Sequence, residues 1–442
     1  MTRAGLLARR AAVTAATAAL LTGTGAGALA GPAQAAQQEN IVFHHYATAA
    51  DFASGTFGGT QSASAAGGIT LAGSGLAAGT YTDPASGAAI SYHSGSWTSP
   101  WFATGFPFLE LVSSWNAATP PGSWLKVQMQ AKTDKSALTK WYTMGIWAFG
   151  TSTIHRTSVN GQGDANGTIA TDTFFAKDHP MVSYRLQVTL YRADGSAATP
   201  VLHEVGAVAS NAPDVNLKPQ VPSPLGGAEG TVLSLPEYSQ EIHTGEYPEF
   251  DGGGEAWCSP TSTDMVTTHW GTGPSTSDLA SMPPSTDPSA VQPAQDLSVD
   301  WTAMHTFDYA YGGTGNWPFN IAYAAHYGLA GEVTQLHSLY EVEQFIKAGI
   351  PVVASLAFTS NQLPGFLFKS TAGHLLVIVG FTKTGNVVVD DPAATSDAAV
   401  QHVYDRTHFE RDWLASTGGV VYLIHPASMP LPANLPGQPA NW

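Results

Sequence analysis

Two stretches of this chain alternate apolar and polar residues with a period of two. In "SWLKVQMQAK", residues 123–132, Leu125, Val127 and Met129 fall on one side and Lys126, Gln128 and Gln130 on the other. In "VSYRLQVTLYRADG", residues 182–195, Val182, Tyr184, Leu186, Val188 and Leu190 do the same before Asp194-Gly195 turns the chain. That period cannot make a helix face; it makes strands with one side buried. With the Gly-rich turns that recur from Phe43 to Ala209, it predicts an all-β sandwich or jelly roll over residues 40–210, able to fold as its own unit. Six tryptophans lie here: Trp97, Trp101, Trp115, Trp124, Trp141 and Trp147. Rings of this size fill a sandwich core, although exposed ones could stack on sugars and give cell-wall or carbohydrate contact. "GQGDANGTIATD", residues 161–172, fails as a calcium loop because Phe175 stands where the closing Glu belongs; its Asn-Gly reads as a hairpin turn.

A Pro-, Gly- and Asn-rich run, residues 210–230, then breaks the pattern, and a linker is assigned to 211–235. Beyond it helix and strand signals mix. Helices are expected at "SPTSTDMVTTHW", "NWPFNIAYAAHYGL" and "SLYEVEQFIKAG", the last with a capping box of Ser338 and Glu341 and a terminating Gly349. Strands are expected at "PVVASLAF", "GHLLVIVGF", "NVVVDDP" and "GGVVYLIHP". These define a second domain, 236–426, followed by a loose Pro- and Ala-rich tail, 427–442.

The first 35 residues have Arg3, Arg9 and Arg10, a short weakly apolar run and "AQA" at 33–35, the pattern of a cleaved signal peptide by the general or the twin-arginine route. Secretion is therefore expected, with no membrane association after cleavage, since no other apolar run approaches spanning length. The net charge is −16, and losing the three leading arginines takes it to −19. A nucleic-acid partner, which requires basic patches, is excluded on that balance.

One cysteine, Cys258, occurs in the whole chain, so no internal disulfide supports the fold. It follows the glycine run of "GGGEAWCSPTSTDMV" and directly precedes the expected helix at Ser259-Pro260. Unpaired amides at a helix start favour a thiolate, so the residue is either a small buried group or a nucleophile. His374 opens the "HLLVIVGF" strand, and the turn at "TKTGN" returns the chain as "NVVVDDP". If the turn centres near residues 383 and 384, antiparallel pairing brings Asp391 within about two positions of His374, near enough to orient the ring, with Asp390 on the opposite face. The Cys258 amide offers one oxyanion donor, and Gln240 is the sole glutamine between Val221 and Cys258 that could offer a neutral second. No HExxH, zinc-spaced Cys/His set or phosphate loop occurs; "GGTGNW" reads as a turn into a helix, and neither metal nor organic cofactor is expected.

The order "AWCSPTSTDMV", "GHLLVIVGF", "NVVVDDPA" resembles the papain-like cysteine peptidases of family 39, which include the leader peptidase domains of bacteriocin exporters. It is most similar to a secreted actinobacterial branch with an added N-terminal β-domain. The resemblance covers residues 235–425 and implies an α+β papain-like domain behind the sandwich. It also implies that Cys258 attacks the scissile carbonyl, His374 is its base, Asp391 orients the His and Gln240 completes the oxyanion hole. The chain departs from the leader peptidases in having Ser259 after the Cys, where they have Gly. Gln240 lies 18 positions before Cys258, farther than theirs, and there is no transporter segment, so cleavage after a double glycine is not implied. The expected activity is hydrolysis of peptide or protein substrates through a thioester acyl-enzyme. The alternatives are an amidase or transpeptidase acting on peptidoglycan stem peptides with the same chemistry, and a non-catalytic binding protein on a peptidase-like scaffold.

Overall fold

A computed structural model describes residues 40–63, 67–211, 222–290, 295–359 and 362–442. The expected signal segment and part of the expected linker lie outside the described residues. The N-terminal region builds two seven-stranded antiparallel sheets. In one, Val201–Ser210 pairs with Glu110–Ala118 on one side and with Ile41–Tyr46 and Ile69–Leu71 on the other. In the other, the long Met181–Ala193 strand lies between Ser123–Thr133 and Ala89–Thr98. Its register sets Leu186 opposite Met129, Val188 opposite Val127 and Leu190 opposite Leu125. The alternating apolar sides therefore coincide and close against Leu111, Trp115 and Val205 of the first sheet in one core. Val182 departs from its expected face and is only half-buried, because the register shifts between Met181 and Ser183.

Trp97, Trp115, Trp124 and Trp147 are buried. Trp101 and Trp141 are half-buried, and the Arg185 guanidinium sits 4.7 and 5.0 Å from their ring centroids. Asn166-Gly167 does not form a hairpin turn. Asp164 Oδ1 accepts from the Asn166 and Gly167 amides, and the reversal comes later, at Thr171 (φ 58°), between strands Gly167–Ala170 and Thr173–Ala176.

The C-terminal region is one six-stranded antiparallel sheet with helices packed on it. From edge to edge its strands are Leu329–Gln335, Val420–Pro426, Val352–Phe358, Thr371–Phe381, Val387–Asp390 and Gln401–Tyr404. The helices Cys258–His269, Leu297–Thr306, Trp317–His326, Leu339–Lys347 and Arg406–Thr417 complete it. The capping box expected at Leu339–Lys347 does not form. The Ser338 side chain caps nothing, and Glu341 instead accepts from the His337 amide at 2.7 Å and from Asn441 at 3.0 Å.

Two expectations about the borders change. The sandwich does not own its core: Phe319 of the second region packs on Trp115 and Trp147 at 6.2 and 5.3 Å between centroids. Asp172 accepts from the Trp317 amide at 2.9 Å, and buried Arg156 donates to the Met304 carbonyl at 2.8 Å. Nor is the tail loose. Ala440 accepts from the Phe43 amide at 2.8 Å, Asn441 bonds Thr334 and Gln335, and Trp442 packs edge-on against Phe345. The tail turns at Ala427-Ser428 and again at Pro436-Gly437, and these contacts tie its end down. No helix among the described residues is long and apolar enough to cross a membrane.

Candidate active site

Cys258 is the first residue of the Cys258–His269 helix, one position earlier than expected, with Trp257 as its N-cap. As the first helical residue it has no carbonyl four positions back within the helix to receive its N–H. The helix is held by apolar Met265 and Val266, which pack with Leu375 and Val377 of the central strand, and by Ser262 donating to the Leu375 carbonyl at 3.3 Å. Ser259, where leader peptidases have Gly, is buried and hydrogen-bonds the Tyr422 hydroxyl at 2.9 Å. Packing thus fixes the helix, while Cys258 itself stays partly exposed.

The hairpin delivers the other two groups. Val377 faces Asp390 and Ile378 faces Val389, the register read from the sequence, with a shift by one position between Ile378 and Gly380. His374 Nε2 lies 2.7 Å from Asp391 Oδ1, both side chains buried. With Nε2 engaged there, Nδ1 is the nitrogen left for the thiol. Burial works against the imidazolium, but the Asp391 charge and hydrogen bond, followed by those of Cys258, outweigh it and push His374 up to about 10. Asp391 is itself oriented: the Ala393 amide donates to Oδ1 at 3.0 Å and the Tyr404 hydroxyl to Oδ2 at 3.0 Å. Asp390 points elsewhere, toward Gln401 at 3.4 Å, and burial, aided by Glu237, pushes it up to about 7.

Gln240 also reaches this end of the sheet. Its amide donates to the Pro392 carbonyl at 2.8 Å, tying it to the turn after Asp391. Its side chain does not point freely into a cavity: Nε2 donates to the Glu255 carbonyl at 2.9 Å and to Glu241 Oε1 at 3.2 Å. The glycine run makes that approach possible. A Cβ on Gly254 would stand 2.1 Å from the Gln240 carbonyl oxygen, so the turn before Cys258 closes on Gln240 only with glycine there.

Sequence reasoning missed Tyr404, Phe366 and Phe368. The two phenylalanines stand edge-on to the His374 ring, at 5.6 and 5.2 Å between centroids, and Phe366 stacks on Tyr404 at 5.0 Å. They screen the His–Asp pair with apolar surface. The signal for them was the dense apolar "LPGFLF" between two strands, which a loop has no reason to carry unless it covers something.

The constellation is of the cysteine-peptidase type. Two family models match: one described as Peptidase C39 N-terminal domain over residues 42–210, the other as Peptidase C39 like family over residues 232–421. The chain belongs to this C39 peptidase family, in the branch that carries the actinobacterial N-terminal domain. No curated protein matches it. Among solved structures, one match comes from work titled "Structural basis for the promiscuous specificity of the carbohydrate-binding modules from the beta-sandwich super family". It is 13% identical, covers 36% of this chain and 59% of that one, and has a TM-score of 0.15, too low to carry an argument.

Proposed function

We propose that the protein is a secreted cysteine peptidase that hydrolyses peptide bonds with Cys258, His374 and Asp391, on a papain-like arrangement of helix against sheet. The observation that carries this reading is the buried 2.7 Å His374–Asp391 pair facing a partly exposed Cys258 at a helix start. Cys258 Sγ attacks the scissile carbonyl carbon, and its proton resides on His374. The oxyanion forms toward the Cys258 amide, and His374 gives its proton to the leaving amine as the C–N bond breaks. Water, deprotonated by His374, then attacks the thioester and releases the acid and the free thiol. Gln240 serves as the second oxyanion donor once its longer bond, to Glu241, gives way. Residues 1–35 act as the export signal.

The test is hydrolysis of a peptide library and of peptidoglycan fragments by the full chain lacking its signal, with Cys258→Ala as control. Cys258→Ala should abolish turnover and move the melting temperature by no more than a few degrees, because a partly exposed thiol contributes little packing. Cleavage confined to peptidoglycan stem peptides would favour an amidase or transpeptidase. No thiol-dependent turnover on either class would leave the binding-protein reading.

A further inference from the structure

No local motif in this chain spells a metal site, yet the fold collects one behind the catalytic helix from distant positions. His243 ends a short turn that starts from Gln240, Glu246 follows three residues later, and Asp300 lies on the Leu297–Thr306 helix. His243 Nδ1 is 2.8 Å from Glu246 Oε2 and 3.4 Å from Asp300 Oδ1. One ligand atom from each residue lies within 4.8 Å of the others, and all three side chains are buried, Asp300 completely. Ligands held at ~2.0–2.2 Å by one ion stand roughly 3 Å or a little more from each other, and the two distances from His243 are of that order.

The charge balance singles this cluster out. Neither carboxylate oxygen of Asp300 accepts a hydrogen bond, although the side chain points into the cluster. The walls are Tyr247, Trp257, Val299, Ala303 and Met304; the Trp257 indole N–H is taken by the Phe250 carbonyl, and Tyr247 brings a hydroxyl but no positive charge. The nearest further ionisable group on the Cys258 helix, Asp264, is also acidic and completely buried. No Lys or Arg occurs between Lys218 and Lys347, a span that contains all of these residues, and Arg156, which reaches the same helix from the first region, is held at its far end by the Met304 and Phe307 carbonyls. One imidazolium could neutralise one of the two carboxylates; the second stays charged only beside another cation, and without one burial favours its protonated form, pushing Asp300 up to about 6.

The geometry points to a structural divalent transition-metal site formed by His243, Glu246 and Asp300. An imidazole nitrogen with two carboxylates suits Zn²⁺ or Mn²⁺, whereas Ca²⁺ takes six to eight oxygens. The ion would pin the turn bearing Gln240 to the Leu297–Thr306 helix and so support the site without touching substrate. A second close group, His45, Glu204 and Glu332, lies at the seam between the two regions, but His45 is half-exposed to water there.

The experiment uses the full mature chain. Metal content is measured by elemental mass spectrometry before and after chelation, and melting curves of the stripped protein are recorded with Zn²⁺, Mn²⁺ or Ca²⁺. The expected result is about one transition-metal ion per chain and a melting temperature that rises at stoichiometric Zn²⁺ or Mn²⁺ but not with Ca²⁺. Asp300→Asn and Glu246→Gln should lose the ion, and Glu332→Gln should keep it. If Asp300→Asn does not fold, the titration of the stripped parent decides alone. A parent without metal whose melting ignores all three ions overturns the proposal, and so does retention of the ion by a folded Asp300→Asn or a response to Ca²⁺ alone. These readouts do not depend on whether the protein cleaves peptides.

Discussion

His374 sits between two groups that both favour its protonated form, and this has a consequence for pH. Its pKa rises from 6.5 to about 10, so the folded chain keeps a proton that the unfolded chain releases over that interval. The resulting stabilisation is complete below pH 6.5 and is lost as pH climbs through about 10. Asp391→Asn removes the larger of the two raising partners. Its stability deficit should be greatest below pH 6.5 and should shrink steadily toward pH 10, as denaturant midpoints measured across that range will reveal. Under the proposed mechanism the alkaline limb of kcat/KM should move to lower pH in the same variant, because that limb reports loss of the imidazolium. A pH-independent deficit with an unmoved limb would mean that Asp391 only packs. Much at this scale was legible beforehand. A lone thiol, a histidine opening a strand and an acid before proline are visible as residue types, and their register follows from counting across one short turn. Tyr404 was not legible, because it reaches Asp391 from a separate edge strand, and no local count crosses that gap.

At the scale of elements, the glycine run before Cys258 is a spacer of zero width. Gly254 lets the turn ahead of the helix close on the Gln240 backbone, which is tied in turn to the carbonyl after Asp391. Gly254→Ala should push these apart and lower kcat by about 10²-fold while KM changes little, since a small misplacement affects the transition state more than binding. Steady-state kinetics beside a melting curve will separate this from unfolding; an unchanged kcat in a folded variant would remove Gln240 from the mechanism. Three helices, Cys258–His269, Trp317–His326 and Leu339–Lys347, and four strands of the second sheet were legible because hydrophobic period and flanking glycines declare them. The helices Leu297–Thr306 and Arg406–Thr417 and the strands Leu329–Gln335 and Gln401–Tyr404 were not expected. The absent capping box shows what local reading misses. "SLYE" has the right residues, but Glu341 gains more from the His337 amide and from Asn441, a residue about a hundred positions away.

On the scale of the whole molecule, composition reported two regions and hid how they join. Phe319 belongs by sequence to the second region and by packing to the first, so an alternating strand pattern cannot announce that its core is shared. Residues 40–211 expressed alone should expose the surface around Trp115 and Trp147 and show amide protection well below that of the same strands in the full chain. Equal protection would mean that the seam contributes nothing to the sandwich. The tail, bonded to both regions through Phe43 and Thr334, makes the same point from the other end. What holds the two regions together also sets the Cys258 helix against the His374 strand, and the central claim is that this arrangement forms a thioester. The most direct measurement is the intact mass of the mature chain, acid-quenched seconds after mixing with an activated peptide ester. The account predicts one added acyl group, mapped to the Cys258 peptide, absent in Cys258→Ala and strongly reduced in His374→Ala. An unmodified chain, or an acyl group carried equally by His374→Ala, would contradict it.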